Sequence, residues 1–250
     1  MISGDVVKVT RLDGGIAVIS LEDREAKNFF SDACVAGITE AFAGITTDAS
    51  IRVAVIHGYD NYFCCGGTRD QLIKIAEGRA KYTDFTFFDG LRHCPIPTIA
   101  AMQGHAIGGG LAFALHADFH VFGEESVYSA NFMEYGFTPG MGSTFTIPQI
   151  FGDALGWEML FTGGNYRGAE LKARGAPIVV RPRADVVSHA LDQARVLARK
   201  PLESLRELKR RRLEITRAEF ESAVQREVEM QNITFPLPAV QERIRTIFRD

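Results

Sequence analysis

The 250-residue chain lacks several features that would each have indicated a class of protein. It has no run of about eighteen apolar residues, so no membrane-spanning helix and no membrane partner are expected. The opening MISGDVVKVTRL has no basic segment followed by an apolar core, so no signal peptide is expected. The formal net charge is -3, and the basic run KRRRLE has acids on both sides. That pattern favours a solvated helix face over a nucleic-acid-binding surface.

Cysteine is scarce, and its spacing does not suit a metal or a disulfide framework. The four cysteines are Cys34, Cys64, Cys65 and Cys94, and no CxxC pair occurs. The glycine-rich segments do not match GxGxxG, which also argues against a dinucleotide site. The sequence therefore predicts a reduced, cytoplasmic protein with free thiols, no metal and no cofactor.

The hydrophobic pattern alternates between strand-like and helix-like stretches. A hairpin is predicted around Asp13–Gly15, and a helix is predicted to begin at the N-cap Ser31. Short apolar runs then indicate buried strands at 52–57, 98–102 and 118–123, with helices near 109–116, 142–151 and 153–161. From Asp185 the chain is almost wholly helical. This order predicts an α/β fold with a largely parallel sheet.

Two glycine-rich turns follow two of the predicted strands. They are NYFCCGGTRDQL and GHAIGGGLAFAL, and each leads into a helix. Glycine lets backbone N–H groups face a ligand without a Cβ in the way, and a helix N-terminus supplies free donors. Two such turns face to face could form an oxyanion hole. Close packing of helix on strand is the alternative explanation for any one of these glycines.

The ordered set of motifs resembles the crotonase (enoyl-CoA hydratase/isomerase) superfamily. The segments that carry the resemblance are YFCCGGT, IPTIAAMQGHAIGGGLAFALHADFHVF, FTPGMGSTFTIPQIFG and GAELKARGAP, and it extends over nearly the whole chain. The resemblance implies repeated ββα units that form a spiral core. It divides the chain into a core at 1–195 and a helical region at 196–250, which serves trimerisation and covers the active site. It also implies a homotrimer, sometimes paired into a hexamer.

The resemblance implies a thioester substrate whose carbonyl oxygen binds two backbone amides. Carried over by position, these are the N–H groups of Cys65 and Gly109, with Gly66 and Gly67 lining the substrate site. Only the backbone of Cys65 is needed, and nothing near it in sequence would lower the pKa of its thiol, so an inert thiol is expected.

The carboxylates that relatives use to add water are absent. Hydratases of the superfamily carry one Glu in the helix after the glycine triplet and another after the next strand. The matching positions here are Ala112 and Phe132, which cannot transfer a proton and are expected to line the substrate site. Glu134 lies two residues beyond, and a structural or surface role is favoured for it.

Decarboxylation forms an enolate without a general base and needs a cation for the carboxylate. HGYDNYFCCGGT and ANFMEYGFTPGMG resemble the decarboxylating crotonase homologues of polyketide β-branching cassettes. That resemblance implies conversion of 3-methylglutaconyl on an acyl carrier protein to 3-methylcrotonyl and CO2. It places the catalytic lysine at Lys81, with Tyr82 and Phe85 in the apolar wall.

One position departs from the pattern of those homologues. They carry a histidine in the stretch that matches VEMQNITF, where this chain has Gln231. Glutamine can hydrogen-bond a substrate carboxylate but cannot supply a proton at neutral pH. Either Lys81 or a water then protonates the dienolate, or the carboxylate is held differently, or the activity is weak. His105, before the glycine triplet, is expected to be structural.

Two other functions remain open from the sequence. The chain could be another crotonase enzyme, such as an enoyl isomerase or a thioester hydrolase using Glu134. It could also be a catalytically silent subunit that binds a thioester in a synthase complex. Carrier proteins are usually acidic, so Arg69, Lys74 and Arg79 are the expected contacts for that partner.

Overall fold

The computed structural model describes residues 6–80 and 87–248 of the chain. The strands are β1 (Val7–Leu12), β2 (Ile16–Leu21), β3 (Val53–His57), β4 (Tyr62–Cys64), β5 (Thr98–Met102), β6 (His105–Ile107), β7 (Phe119–Gly123), β8 (Val127–Ser129), β9 (Asn165–Arg167) and β10 (Val179–Arg181). The helices are α1 (Asp32–Thr47), α2 (Arg69–Ala76), α3 (Asp89–His93), α4 (Gly109–Ala114), α5 (Ser143–Phe151), α6 (Asp153–Thr162), α7 (Gly168–Ala173), α8 (Arg183–Ala198), α9 (Leu202–Thr234) and α10 (Pro238–Thr246). A 3-10 turn, Asn131–Glu134, follows β8.

The larger sheet has the order β1-β2-β3-β5-β7-β10. β1 and β2 form the antiparallel hairpin that the Asp13–Gly15 turn predicts, with Leu12 opposite Ile16. The remaining neighbours pair in parallel. The predicted strands at 52–57, 98–102 and 118–123 correspond to β3, β5 and β7, so the predicted parallel sheet is confirmed.

A second sheet has the order β4-β6-β8-β9 and is built from three-residue strands. Strands this short have no periodicity to detect, and sequence patterns therefore did not separate them from loops. Each repeat runs from the larger sheet to the smaller one and then into a helix: β3-β4-α2 and β5-β6-α4. These are the ββα units of the crotonase fold, and they bring both glycine-rich turns to the same edge.

α8 covers one face of the larger sheet. Its Val186, Ala190 and Ala194 recur at four-residue spacing and are fully buried against strand residues that include Val55 and Val121. The expected domain boundary after residue 195 lies inside this helix, close to its last residue.

α9 is attached to the sheet by buried charges. The Lys209 ammonium lies 2.7 Å from the Asp118 carboxylate and donates to the Ile96 carbonyl at 3.0 Å. Asp118 also accepts from the Thr98 backbone N–H at 2.9 Å and from Arg212 at 2.9 Å. The side chains of Lys209 and Asp118 are only 4% and 10% exposed. These hydrogen bonds offset the free-energy cost of removing both ions from water.

Within the described ranges, no helix has both the length and the apolar character needed to cross a membrane.

Removing the Lys209 ammonium should destabilise the fold strongly, because the Asp118 carboxylate would stay buried without its ammonium partner. We expect Lys209→Met to lower the free energy of unfolding by about 3–5 kcal/mol in urea titrations. The matched control is Arg210→Met, next in sequence, whose ion pairs are exposed and contribute little. Equal effects of the two substitutions would contradict a special role for Lys209.

Candidate active site

A cavity of about 420 Å³ opens where the two glycine-rich turns meet. Its wall is mostly apolar and aromatic, with a few polar side chains. The lining residues are Lys27, Phe29, Tyr62, Cys65, Gly67, Leu72, Ile107, Gly108, Gly109, Asn131, Phe132, Tyr135, Phe137 and Phe248.

The two turns approach so closely that glycine is required at their contact. Gly66 has φ +84°, and a Cβ there would lie 2.9 Å from the Ile107 carbonyl and 3.0 Å from the Gly109 nitrogen. A Cβ on Gly110 would lie 2.1 Å from the Cys64 carbonyl oxygen. Both distances are too short for a side chain, so backbone packs directly on backbone here.

This packing places the amides of Gly67 and Gly109 side by side at the cavity. A Cβ built on Gly109 would lie 3.6 Å from the Gly67 nitrogen. Gly109 is the first residue of α4, whose first amides have no partner within the helix. Among the described residues neither amide donates to a protein acceptor. The pair is therefore available to bind one oxygen atom that gains negative charge.

The position of Cys65 argues against its predicted role as an amide donor. Its N–H donates to the Asn28 carbonyl at 3.3 Å and is thereby already used. Asn28 is held in turn, because its side-chain amide donates to the carbonyls of Leu21 and Phe63. The free donor lies two residues on, at Gly67. The sequence motif located the turn correctly but not which of its amides faces the cavity.

The Cys65 thiol lines the cavity in its protonated form. Burial raises its pKa to about 11, although the nearby Lys27 ammonium opposes this shift. The thiol is therefore not a nucleophile at neutral pH.

No carboxylate lines the cavity within the part of the chain that the structure describes. Phe132 lies in the wall, on the 3-10 turn, and Ala112 is fully buried in the core behind it. Glu134, on the same 3-10 turn, is exposed, and only its backbone carbonyl is engaged, by Arg243 at 2.9 Å. The surface role favoured for Glu134 agrees with this position.

The apolar wall is a continuous set of aromatic rings. Phe137 contacts Phe132 with ring centroids 6.1 Å apart and lies nearly parallel to Tyr135 at 6.0 Å. Tyr135 contacts Phe248, which in turn contacts Phe29. Phe248 follows α10, which packs on α2, so the C-terminal region contributes one ring to the cavity wall.

Asn131 is a polar cavity residue that the sequence motifs did not indicate. Its Oδ1 lies 2.6 Å from where a Cβ on Gly108 would be, so a side chain at Gly108 would displace the Asn131 amide. Gly108 also has φ +54°, which favours glycine. The only sequence signal for Asn131 as a cavity residue was its place directly before Phe132.

Gln231 lies outside the lining of this cavity. It is 5% exposed on α9, and its Nε2 donates to the Pro139 carbonyl at 3.0 Å. His105 is half-buried, with its Nδ1 accepting the Val127 N–H at 2.9 Å, which agrees with the structural role expected for it.

Three predicted site residues, Lys81, Tyr82 and Phe85, lie outside the described residues. Of the other basic residues near the first turn, Lys74 is exposed on α2 and Arg79 pairs with Glu77. Phe87 lines a second, small cavity together with Gly67 and Met141, among others.

Within residues 6–80 and 87–248, no cluster of three or more His, Cys, Asp or Glu side chains could hold a metal ion.

The thiols of the folded protein should resist alkylation at neutral pH. Burial raises the pKa of all four cysteines, to about 12 for Cys34 and to about 11 for Cys65, so the reactive thiolate is scarce. At about pH 8 roughly one Cys65 thiol in a thousand is ionised, and this fraction rises about tenfold per pH unit. Intact-protein mass spectrometry with iodoacetamide should show slow labelling of the folded chain and fast labelling in guanidinium. Rapid labelling of the folded chain near pH 7 would contradict this.

Comparisons with known proteins agree with the geometry. The profile of the enoyl-CoA hydratase/isomerase family matches residues 11–246. The chain is 41% identical over 243 residues to the bacillaene synthase decarboxylase PksI of Bacillus subtilis, covering 97% of this chain and 98% of that protein.

Two solved structures extend the agreement to three dimensions. One comes from a study of a dehydratase/decarboxylase enzyme couple involved in polyketide β-branching. It superposes with a TM-score of 0.96 at 40% identity, over 98% of this chain and all of that one (100%). The other is the ECH2 decarboxylase domain of CurF from Lyngbya majuscula, with a TM-score of 0.93 at 38% identity over 97% and 99% of the two chains. The present chain thus belongs to the enoyl-CoA hydratase/isomerase (crotonase) family, and two relatives that match it at 41% and 38% identity are decarboxylases.

Proposed function

We propose that this chain is a lyase that decarboxylates a 3-methylglutaconyl thioester on an acyl carrier protein, giving the 3-methylcrotonyl thioester in polyketide β-branching. The observation that carries the proposal is a pair of amides, at Gly67 and Gly109, that donate to no acceptor among the described residues, in a cavity that none of the described carboxylates lines. The decarboxylase relatives support the same reaction class.

The amides supply what decarboxylation requires. The bond between the γ-carbon and the carboxyl carbon breaks and releases CO2, and its electron pair moves through the double bond to the thioester oxygen. That oxygen becomes negative in the transition state, where each preorganised donor contributes on the order of 2.7–4 kcal/mol. A proton then returns to the γ-carbon, from the Lys81 ammonium or from a water.

Lys81 is the proposed cation for the substrate carboxylate, on the strength of the resemblance to the decarboxylating homologues. A lysine ammonium is a compact charge that can both hold a carboxylate and release a proton when desolvated. Tyr82 and Phe85 are proposed to extend the apolar wall that Phe132 and Phe137 begin. An apolar wall that excludes water favours conversion of the charged carboxylate into neutral CO2.

The alternative enzymes are less well supported. A hydratase, isomerase or hydrolase needs a carboxylate at the reacting carbons, and Glu134 is exposed with its backbone bound to Arg243. A catalytically silent thioester-binding subunit is disfavoured because the relatives at 41% and 38% identity are decarboxylases.

The carrier protein is proposed to dock at the cavity mouth near α2. Arg69 and Arg79 are partly committed there, since Arg69 donates to the Arg245 carbonyl and Arg79 pairs with Glu77. Lys74 is exposed on the same helix and is the simplest contact for an acidic carrier. We also propose that the protein is a homotrimer and that it is cytoplasmic.

A direct assay separates the three functions. The wild-type protein should remove the mass of one CO2 from methylglutaconyl held on a carrier protein, as followed by intact mass spectrometry. Lys81→Ala should abolish this loss, because the carboxylate would lose the ammonium proposed to hold it. Glu134→Gln is the control and should leave it intact. Addition of one water to a crotonyl thioester would indicate a hydratase, and no reaction with either substrate would indicate a silent subunit.

The Gly67 amide can be removed with a matched control. A Cβ at Gly67 would meet nothing nearer than 3.7 Å, so alanine has space there. Gly67→Pro deletes the N–H and should lower kcat about 100- to 1,000-fold, whereas Gly67→Ala keeps the donor and should change kcat only a few-fold. Equal rates for the two variants, with circular dichroism showing that both are folded, would remove this amide from the mechanism.

A further inference from the structure

One face of α9 runs along the segment that follows the 3-10 turn. Glu227, Gln231 and Thr234 are spaced four and three residues apart, which places them on one side of the helix. The segment 137–142 lies against this face in the opposite direction. Each of the three side chains bonds one backbone group of the segment.

The bonds follow in strict order along the helix. Glu227 accepts the Gly142 N–H at 2.7 Å, and Gln231 donates to the Pro139 carbonyl at 3.0 Å. Thr234 accepts the Thr138 N–H at 3.3 Å. The ring of Phe235, the next residue, stacks on Phe137 at 4.5 Å and 18°.

A fourth side chain also bonds the segment. The Nε2 of His116, which follows α4, donates to the Met141 carbonyl at 2.9 Å. Burial lowers the pKa of His116 to about 3, so the ring stays neutral. Met141 has φ +60°, a left-handed conformation that a side chain adopts at some cost. The surrounding bonds hold it there.

The segment supplies the cavity wall at both of its ends. Phe137 lines the large cavity beside Phe132, and Met141 lines the small cavity beside Gly67. Movement of the segment would therefore move the apolar wall on both sides of the paired amides.

We infer that Gln231 is a positioning residue, which fixes segment 137–142 and with it the cavity wall and does not contact the substrate carboxylate. The inference rests on the proposed function for its choice of ligands. Gln231 is 5% exposed, lies outside the lining of the large cavity, and its one amide nitrogen is bound to Pro139. Since an amide does not titrate, the bond is the same at every pH at which the protein is folded.

A comparison of substrate and product tests the inference. The product, a 3-methylcrotonyl thioester, lacks the carboxylate. Gln231→Met keeps the length of the side chain and removes the donor, leaving the Pro139 carbonyl buried without a partner. We expect KM for the methylglutaconyl thioester and Ki for the methylcrotonyl thioester to rise together, by on the order of tenfold. Gln225→Met, the same change at an exposed position of α9, should alter neither constant.

Two further readouts complete the test. Gln231→His restores a ring N–H donor and should recover both constants together, which a direct contact with the carboxylate does not predict. A Gln231→Met protein in which only KM for the methylglutaconyl thioester rises, or in which neither constant changes, would overturn the inference. The Kd of the methylcrotonyl thioester, measured by direct titration of the wild-type and Gln231→Met proteins, needs no turnover. If the wild-type protein failed to release CO2, the proposed reaction would fall while the positioning role was still tested by product binding.

Discussion

The site depends on the contact between two glycine backbones. Gly66 meets the amide of Gly109, and Gly110 meets the carbonyl of Cys64, at distances that admit no Cβ. This contact brings two strand-to-helix turns, more than forty residues apart in sequence, to one oxygen-sized position. The parallel strands, the short second sheet and the buried helices all serve to hold these two turns in register. Without that contact the chain would keep a fold but have no place for a developing negative charge.

The sequence predicts most of the architecture because the responsible patterns are local. The hairpin follows from Asp13–Gly15, the start of α1 from the cap at Ser31, and the parallel strands from short apolar runs between helices. The three-residue strands were missed because their partners, and not their own composition, define them. The boundary near residue 195 stays a prediction, and it lies within α8, which ends at Ala198.

The sequence predicted where in the fold the site lies, but not which backbone amides and side chains form it. The motif located the first turn, yet the choice between the amides of Cys65 and Gly67 depends on the Asn28 carbonyl, which is distant in sequence. Gln231 was expected at the substrate because relatives carry a histidine there, whereas its amide is bound to Pro139. Asn131 became visible only through its closeness to Gly108. In each case a tertiary contact, absent from local sequence, decides which group is free.

α9 links the buried ion pair at the large sheet to the wall of the cavity. At 1.5 Å per residue its 33 residues form a rod about 50 Å long. The ion pair between Lys209 and Asp118 holds one part of α9 against the sheet. About six turns further on, Gln231 bonds Pro139 in the segment that forms the cavity wall. Because a continuous helix between two buried attachments cannot shorten or bend freely, a displacement at one attachment must be accommodated at the other. The packing of α9 around Lys209 is in this way coupled to the shape of the cavity in which the acyl chain would lie.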